Sequence, residues 1–255
     1  MTVDASIVLP TLNEEGNVGD CLDSVEEGIR ESDRSFEVIV VDSHSTDGTV
    51  EVVRGHPLET EVITTETGIL NARDTGVQAA EGDVVFSLDA DSKYDDGFFD
   101  DLLEPFEREN GVVMTYGAVH GETAVNIDAA LRLALQFGLW SVGLHWASGS
   151  SRAFDREAYH RAGGFRLDRD GKSLFSVMYE EQYRFPLRLS AEGTVRFVSD
   201  ARSWQEARTM KQLLLLERKS GGRDWKLISH YDAISEIEDR LSEPFTRSSA
   251  GPSHR

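Results

Sequence analysis

The chain has 255 residues and is 39% hydrophobic, enough to bury the core of one α/β domain and to exclude general disorder. Its 46 acidic side chains against 26 Lys and Arg leave a formal charge of −20, which repels bare nucleic acid and excludes it as a partner. One cysteine, Cys21, excludes an intramolecular disulfide and any multi-cysteine zinc site.

The apolar, β-branched run Ser6-Ile7-Val8-Leu9-Pro10 predicts a first strand, with a helix over Glu15–Arg30 behind it. Glu37–Asp42 reads as the second strand, and Asp47-Gly48-Thr49 opens a helix with a side chain fit for capping. Glu61–Thr65 is a weaker strand and Gly68–Ala80 a third helix; Asp83–Asp89 is the clearest strand, and Val112–Tyr116 a fifth. Strands alternating with helices describe an α/β fold, a mostly parallel sheet flanked by helices. Ligands of such sheets sit beyond the carboxyl ends of the strands, so Pro10–Glu15, Asp42–Asp47 and Asp89–Asp91 are expected to converge on one rim.

The second half is less regular. Ile127–Trp146 is an apolar helix candidate that Arg132, Gln136 and His145 interrupt, too short of apolar continuity to span a membrane. A helix is expected over Glu180–Ala191, with Pro186 kinking it or delaying its start. Another holds Leu213–Leu216 between Arg208, Lys211, Arg218, Lys219 and Arg223, and the tail from Leu241 reads as disordered. The expected organisation is a nucleotide-binding half over 1–120, an acceptor half over 121–226, and a C-terminal helix and tail over 227–255. No secretory signal precedes Ser6, so a cytoplasmic location is expected, with any membrane contact peripheral through 127–146 or 202–226.

Charge follows the same division. Residues 1–110 hold 28 acids and 6 bases, net −22, while 111–255 hold 18 acids and 20 bases, net +2, so an anionic acceptor is expected to dock on the second half. Twenty-one of the 26 basic residues are Arg, which with the acid excess suggests adaptation to high salt.

No Gly-x-Gly-x-x-Gly follows the first strand, so a dinucleotide fingerprint is missing. Gly171-Lys172-Ser173 looks like the end of a P-loop, but Arg166 stands where its first glycine is required. The positive signal is Asp89-Ala90-Asp91 directly after an apolar strand. Carboxylates one residue apart at a strand end can share a hard divalent cation that in turn holds two phosphates. An ordinary acidic turn has the same residues, as Asp95-Asp96 shows, so the context decides.

That context consists of Pro10-Thr11-Leu12-Asn13-Glu14, Asp42-Ser43-His44-Ser45-Thr46-Asp47-Gly48-Thr49, Ala72-Arg73-Asp74-Thr75-Gly76, and Gly82-Asp83 ahead of Asp89-Ala90-Asp91. In this order the motifs resemble the family 2 glycosyltransferases, inverting enzymes of the GT-A fold, over roughly residues 5–225. The resemblance implies a nucleotide sugar donor, UDP- or GDP-linked, with Mg²⁺ or Mn²⁺ held chiefly by Asp91 and assisted by Asp89. Pro10, Leu12, Glu14, Asp42 and Ala90 would line the nucleoside site, with Arg73 on the diphosphate. A carboxylate such as Asp42 can select a base by accepting its imide or amino hydrogens. His44 stands where the family has Gly, Ser43 where it often has a second Asp, and Lys93 where a phosphate-acceptor enzyme carries a neutral metal ligand.

The family's Glu-Asp base motif falls on Glu180-Glu181-Gln182, and the register leaves Glu181, then Glu180, as candidate base, because Gln182 takes no proton. With a glycan hydroxyl acceptor such a base is needed. With a polyprenyl or dolichyl phosphate acceptor, as in the similar dolichol-phosphate sugar synthases, none is, and Arg152, Arg202, Arg208 and Lys211 could hold the phosphate. Two other classes stay open, a sugar-phosphate nucleotidyltransferase, disfavoured because residues 11–19 contain no Lys or Arg, and a non-catalytic nucleotide-sugar-binding module.

Overall fold

The computed structural model describes residues 3–66, 68–121, 138, 145, 147–165 and 180–205. Most of the helix expected over 127–146, the basic helix around 208–223 and the C-terminal tail lie outside the described residues.

The strands β1 (Ala5–Thr11), β2 (Phe36–Asp42), β3 (Glu61–Thr64) and β4 (Val84–Ser87) pair in parallel in the order β3-β2-β1-β4. The same sheet continues through β7 (Arg152–Asp155), β6 (Val112–Gly121), β8 (Thr194–Gln205) and β5 (Ser92–Tyr94). β7 runs antiparallel to both β4 and β6, and β6 is parallel to β8. The boundary drawn near residue 120 therefore divides one continuous mixed sheet.

β1 explains why the first half folds this way. A central strand buried on both faces must be apolar along its whole length, and all seven of its residues are buried. Side chains alternate across a sheet, so Ala5, Ile7 and Leu9 enter the core on one face and Val8 the core on the other. β2 divides likewise, Val38 and Val40 against Ile39 and Val41.

Helix α1 (Val18–Glu31) closes the first face with Val18, Cys21, Leu22 and Val25, a stripe at helical spacing, and α4 (Phe98–Arg108) adds Phe98, Phe99, Leu102 and Leu103. Helix α3 (Ile69–Ala79) covers the second face. Its Gly76 lies so close to β1 that a Cβ there would stand 2.3 Å from Val8 Cγ1. The short α2 (Thr49–Gly55) and α5 (Arg156–Arg161) complete the frame.

Two expectations change at element level. The first helix begins at Val18 rather than Glu15, because residues 12–17 form the rim loop. The helix expected over Glu180–Ala191 is a π-helical turn, Glu180–Arg184, leading into α6 (Phe185–Leu189) with Pro186 in its first turn. Proline has no N–H to offer the preceding turn, so the regular ladder starts there.

Candidate active site

The rim forms where β1, β2 and β4 end together. Register sets Thr11 beside Asp42, and Leu88 N–H still donates to Val8 O at 3.1 Å, carrying the pairing to the edge of Asp89. This is where the strand order reverses direction, the usual crevice of an open α/β sheet.

The first two loops are bonded to each other. Asn13 N–H donates to Ser45 Oγ at 2.9 Å, Thr46 N–H donates to Asn13 Oδ1 at 2.8 Å, and Glu14 N–H donates to Thr49 Oγ1 at 2.8 Å. Asp42 is buried; it accepts from Thr11 Oγ1 at 3.2 Å, from Ser45 Oγ at 2.5 Å and from Ser45 N–H at 3.0 Å. A carboxylate has about four lone-pair sites, so these bonds hold it rigid and leave capacity for a ligand. Glu14 is buried and accepts from Asn17 Nδ2 at 2.9 Å. Pro10 is buried near the end of β1, and Leu12 is half-buried in the loop that follows it. Asp47 accepts from Thr49 N–H at 3.1 Å and Glu15 N–H at 3.3 Å, so it fastens the opening of α2 to the first loop.

Asp89 and Asp91 are half-buried on the turn after β4, with Ala90 buried between them. Asp91 faces the Gln205 amide, whose Nε2 lies 3.4 and 3.5 Å from its two oxygens, and the ladder sets Ser92 opposite Gln205. Sequence reading missed Gln205, which carries no local signal and reaches the turn through the β5–β8 pairing. Lys93 points to Asp20 on α1, 2.9 Å away. Below the turn, Cys21 Sγ donates to Asp89 O at 3.6 Å, and burial, followed by the fields of Asp91, Asp89 and Glu14, pushes its thiol well above the ordinary range. Asp89, ion-paired with Arg73, and Asp91, against the Gln205 amide, are oxygen donors one residue apart that could hold a hard divalent cation.

Elsewhere, Asp23, Glu26 and His56 bring potential metal-ligating atoms within 4.8 Å of one another. There His56 Nδ1 accepts from Leu58 N–H at 3.1 Å, which leaves Nε2 as the protonated nitrogen facing Asp23 Oδ1 at 3.1 Å. That geometry makes a hydrogen-bonded pair in place of a metal-ready imidazole.

Arg73 and Arg152 are placed differently from the expectation that they face the donor and acceptor phosphates. Both are buried, at 1% and 0% exposure, under the rim. Arg73 ion-pairs with Asp89, its Nη1 donates to Ser87 Oγ at 2.7 Å and Leu88 O at 2.8 Å, and its Nε lies 2.7 Å from Glu181 Oε1. Arg152 Nη2 donates to the same Glu181 oxygen at 2.9 Å and its Nη1 to Glu181 O at 2.9 Å. Burial pushes the Arg152 guanidinium down to about 10, opposed by Glu181, so it stays charged at neutral pH. Two cations and two anions close a network of zero net charge, the condition for burying ions at all. Gly149 completes it: a Cβ there would meet Glu181 Oε1 at 2.4 Å and Arg73 Nη2 at 2.6 Å. Glu180, also buried, pairs with Arg188 at 2.7 Å. Of the cations expected to hold an acceptor phosphate, Arg202 is exposed, while 208 and 211 lie outside the described residues.

A sequence profile for glycosyl transferase family 2 matches residues 6–163, more than half of the chain. The chain belongs to glycosyl transferase family 2. Within curated members it is 33% identical over 91 residues to the glycosyltransferase AglE of Haloferax volcanii, covering 34% of this chain and 30% of that protein. It is also 33% identical over 92 residues to an undecaprenyl-phosphate 4-deoxy-4-formamido-L-arabinose transferase of Aeromonas hydrophila, covering 34% and 28%. The match thus spans less than a third of each relative. Among solved structures, a mannosyltransferase of Pyrobaculum calidifontis in complex with GDP-Man and Mn²⁺ superposes with a TM-score of 0.60 at 22% identity, covering 91% of this chain and 64% of that one. A glucosyl-3-phosphoglycerate synthase of Mycobacterium tuberculosis gives 0.57 at 22%, covering 85% and 76%. These likenesses establish the GT-A architecture of this family 2 chain.

Proposed function

We propose that the chain transfers a sugar, with inversion, from a UDP- or GDP-sugar to an acceptor that arrives already ionised, a phosphate monoester such as a polyprenyl phosphate. The observation that carries this is the state of the base segment: Glu181 is ion-paired with two buried guanidiniums, Glu180 with Arg188, and the next residue is Gln182. The Glu181 carboxylate is committed to Arg73 and Arg152 under the rim, an arrangement that serves the buried network in place of a hydroxyl acceptor. An anionic phosphate oxygen needs no base. One similar protein is named an undecaprenyl-phosphate sugar transferase, which is in keeping with a phosphate acceptor of this kind.

In this reading Asp42 and Glu14 fix the nucleoside, with Pro10, Leu12 and Ala90 forming its walls. Asp91, with Gln205 against it and Asp89 beside it, would hold a divalent cation of the Mn²⁺ class, which supplies charge stabilisation for the departing diphosphate. Arg73 holds Asp89 in place from below and lets Asp91 face the ligand. The phosphate oxygen attacks the anomeric carbon as the bond to the diphosphate breaks, and exposed cations of the second half, Arg202 among them, orient that acceptor. Among the described residues, no helix is long and apolar enough to cross a membrane.

Calorimetric titration of UDP and GDP with and without Mn²⁺, followed by transfer assays, tests this. Binding should require Mn²⁺ and weaken about 10-fold or more in Asp91→Ala, the range seen on losing a metal-site group. Transfer should reach polyprenyl phosphate and spare hydroxyl acceptors. Efficient transfer to a glycan hydroxyl alone would refute the phosphate acceptor.

A further inference from the structure

Among the described residues, two that are not glycine have positive φ, Asn13 at 57° and His44 at 61°. Both lie in the two loops that form the rim, and strained backbone gathers where a ligand is clamped. The conformation of Asn13 has a structural return, because its side-chain oxygen accepts from Thr46 N–H. His44 has none. Its side chain is exposed, and it makes no hydrogen bond, ion pair or ring contact among the described residues. The backbone around it is fixed from both sides, Ser43 N–H on Thr11 O at 2.9 Å and Ser45 N–H on Asp42 Oδ2 at 3.0 Å. His44 therefore sits at the apex of a turn closed onto Asp42, where glycine would be free of strain, and the imidazole contributes no contact to the fold.

We infer that His44 contacts the nucleobase of the donor and helps to choose it. This rests on the donor reading above, in which Asp42 bonds the base edge. An imidazole two residues further on offers a flat face for the base and one donor and one acceptor nitrogen. The diphosphate belongs to the cation at Asp91, so the contact is with the part of the ligand that distinguishes one nucleotide from another.

The test titrates UDP, GDP and inorganic pyrophosphate, each with Mn²⁺, into the full chain and into His44→Gly and His44→Asn, both of which tolerate this conformation. The preferred nucleoside diphosphate should bind roughly tenfold more weakly to both variants, the scale of one ring lost from a base. The ratio of UDP to GDP affinity should shrink, pyrophosphate should bind as before, and Tm should rise in His44→Gly by roughly 2–4 °C as strain is released. Unchanged nucleoside diphosphate affinity in both variants, or an equal loss for pyrophosphate, overturns the assignment. If the unaltered chain binds no nucleoside diphosphate better than pyrophosphate, the donor reading fails first and takes this one with it.

Discussion

Glu181 illustrates how far a residue can be read from its neighbours in sequence. Its type and position identify it as an acid in a base motif. Its partners Arg73 and Arg152 stand 108 and 29 residues away and reach it only through the sheet. Asp42, Asp89 and Asp91 were legible because a strand tip is a local feature; a buried arginine announces nothing locally and reads as a surface charge. The pairing has a consequence for stability. Glu181→Gln removes one charge from a balanced buried set and leaves two guanidiniums facing each other, so unfolding stability should fall by about 3–5 kcal/mol. Urea denaturation with an unchanged m-value measures this. Folded protein at low temperature should keep its nucleotide affinity, since Asp42 and Asp91 are untouched. A variant as stable as the parent would mean that the network is solvated and open to proton transfer.

At the scale of elements, β1, β2 and β4 were legible because burial on both faces demands an unbroken apolar run. β8 was not, because Thr194–Gln205 carries Arg196, Asp200 and Arg202 along a partly exposed strand, and its partner β5 is only three residues long. Helix α4 hides behind Pro105, which stands inside it. What sequence periodicity cannot supply is separation between elements, and glycine supplies some of that. Gly76 lets α3 approach β1, whereas a Cβ at Gly55, at the end of α2, would meet nothing within 4 Å. The same substitution should therefore act in opposite directions. Gly55→Ala gains helix propensity and should stabilise by up to about 1 kcal/mol. Gly76→Ala gains the same propensity but forces Val8 and Val41 aside, and overpacking of about 1–3 kcal/mol should outweigh it. Thermal unfolding of the pair decides; equal shifts would show that α3 slides freely on the sheet.

At the scale of the whole molecule, charge is the dominant feature, and the fold concentrates it. The 22 excess acids of residues 1–110 are held together by one set of packed strands, helices and rim loops, so they cannot move apart while β1, β2, β3 and β4 stay paired. Exposed pairs such as Arg30–Glu26 and Arg108–Glu104 offset little of this, each giving well under 1 kcal/mol in water. Self-repulsion should therefore limit stability at low ionic strength. Added salt shortens the screening length from about 10 Å at 0.1 M to about 3 Å at 1 M, which weakens repulsion over the acidic surface while leaving the buried Arg73–Asp89 and Arg152–Glu181 pairs intact. Tm should accordingly rise steadily between 0.1 and 1 M KCl. Neutralising exposed acids away from the rim, for example Glu27→Gln with Glu31→Gln on α1, should raise the low-salt value and flatten the response. A Tm that stays level or falls with KCl would show that the acidic half tolerates its charge without screening, and would remove the argument for a high-salt setting.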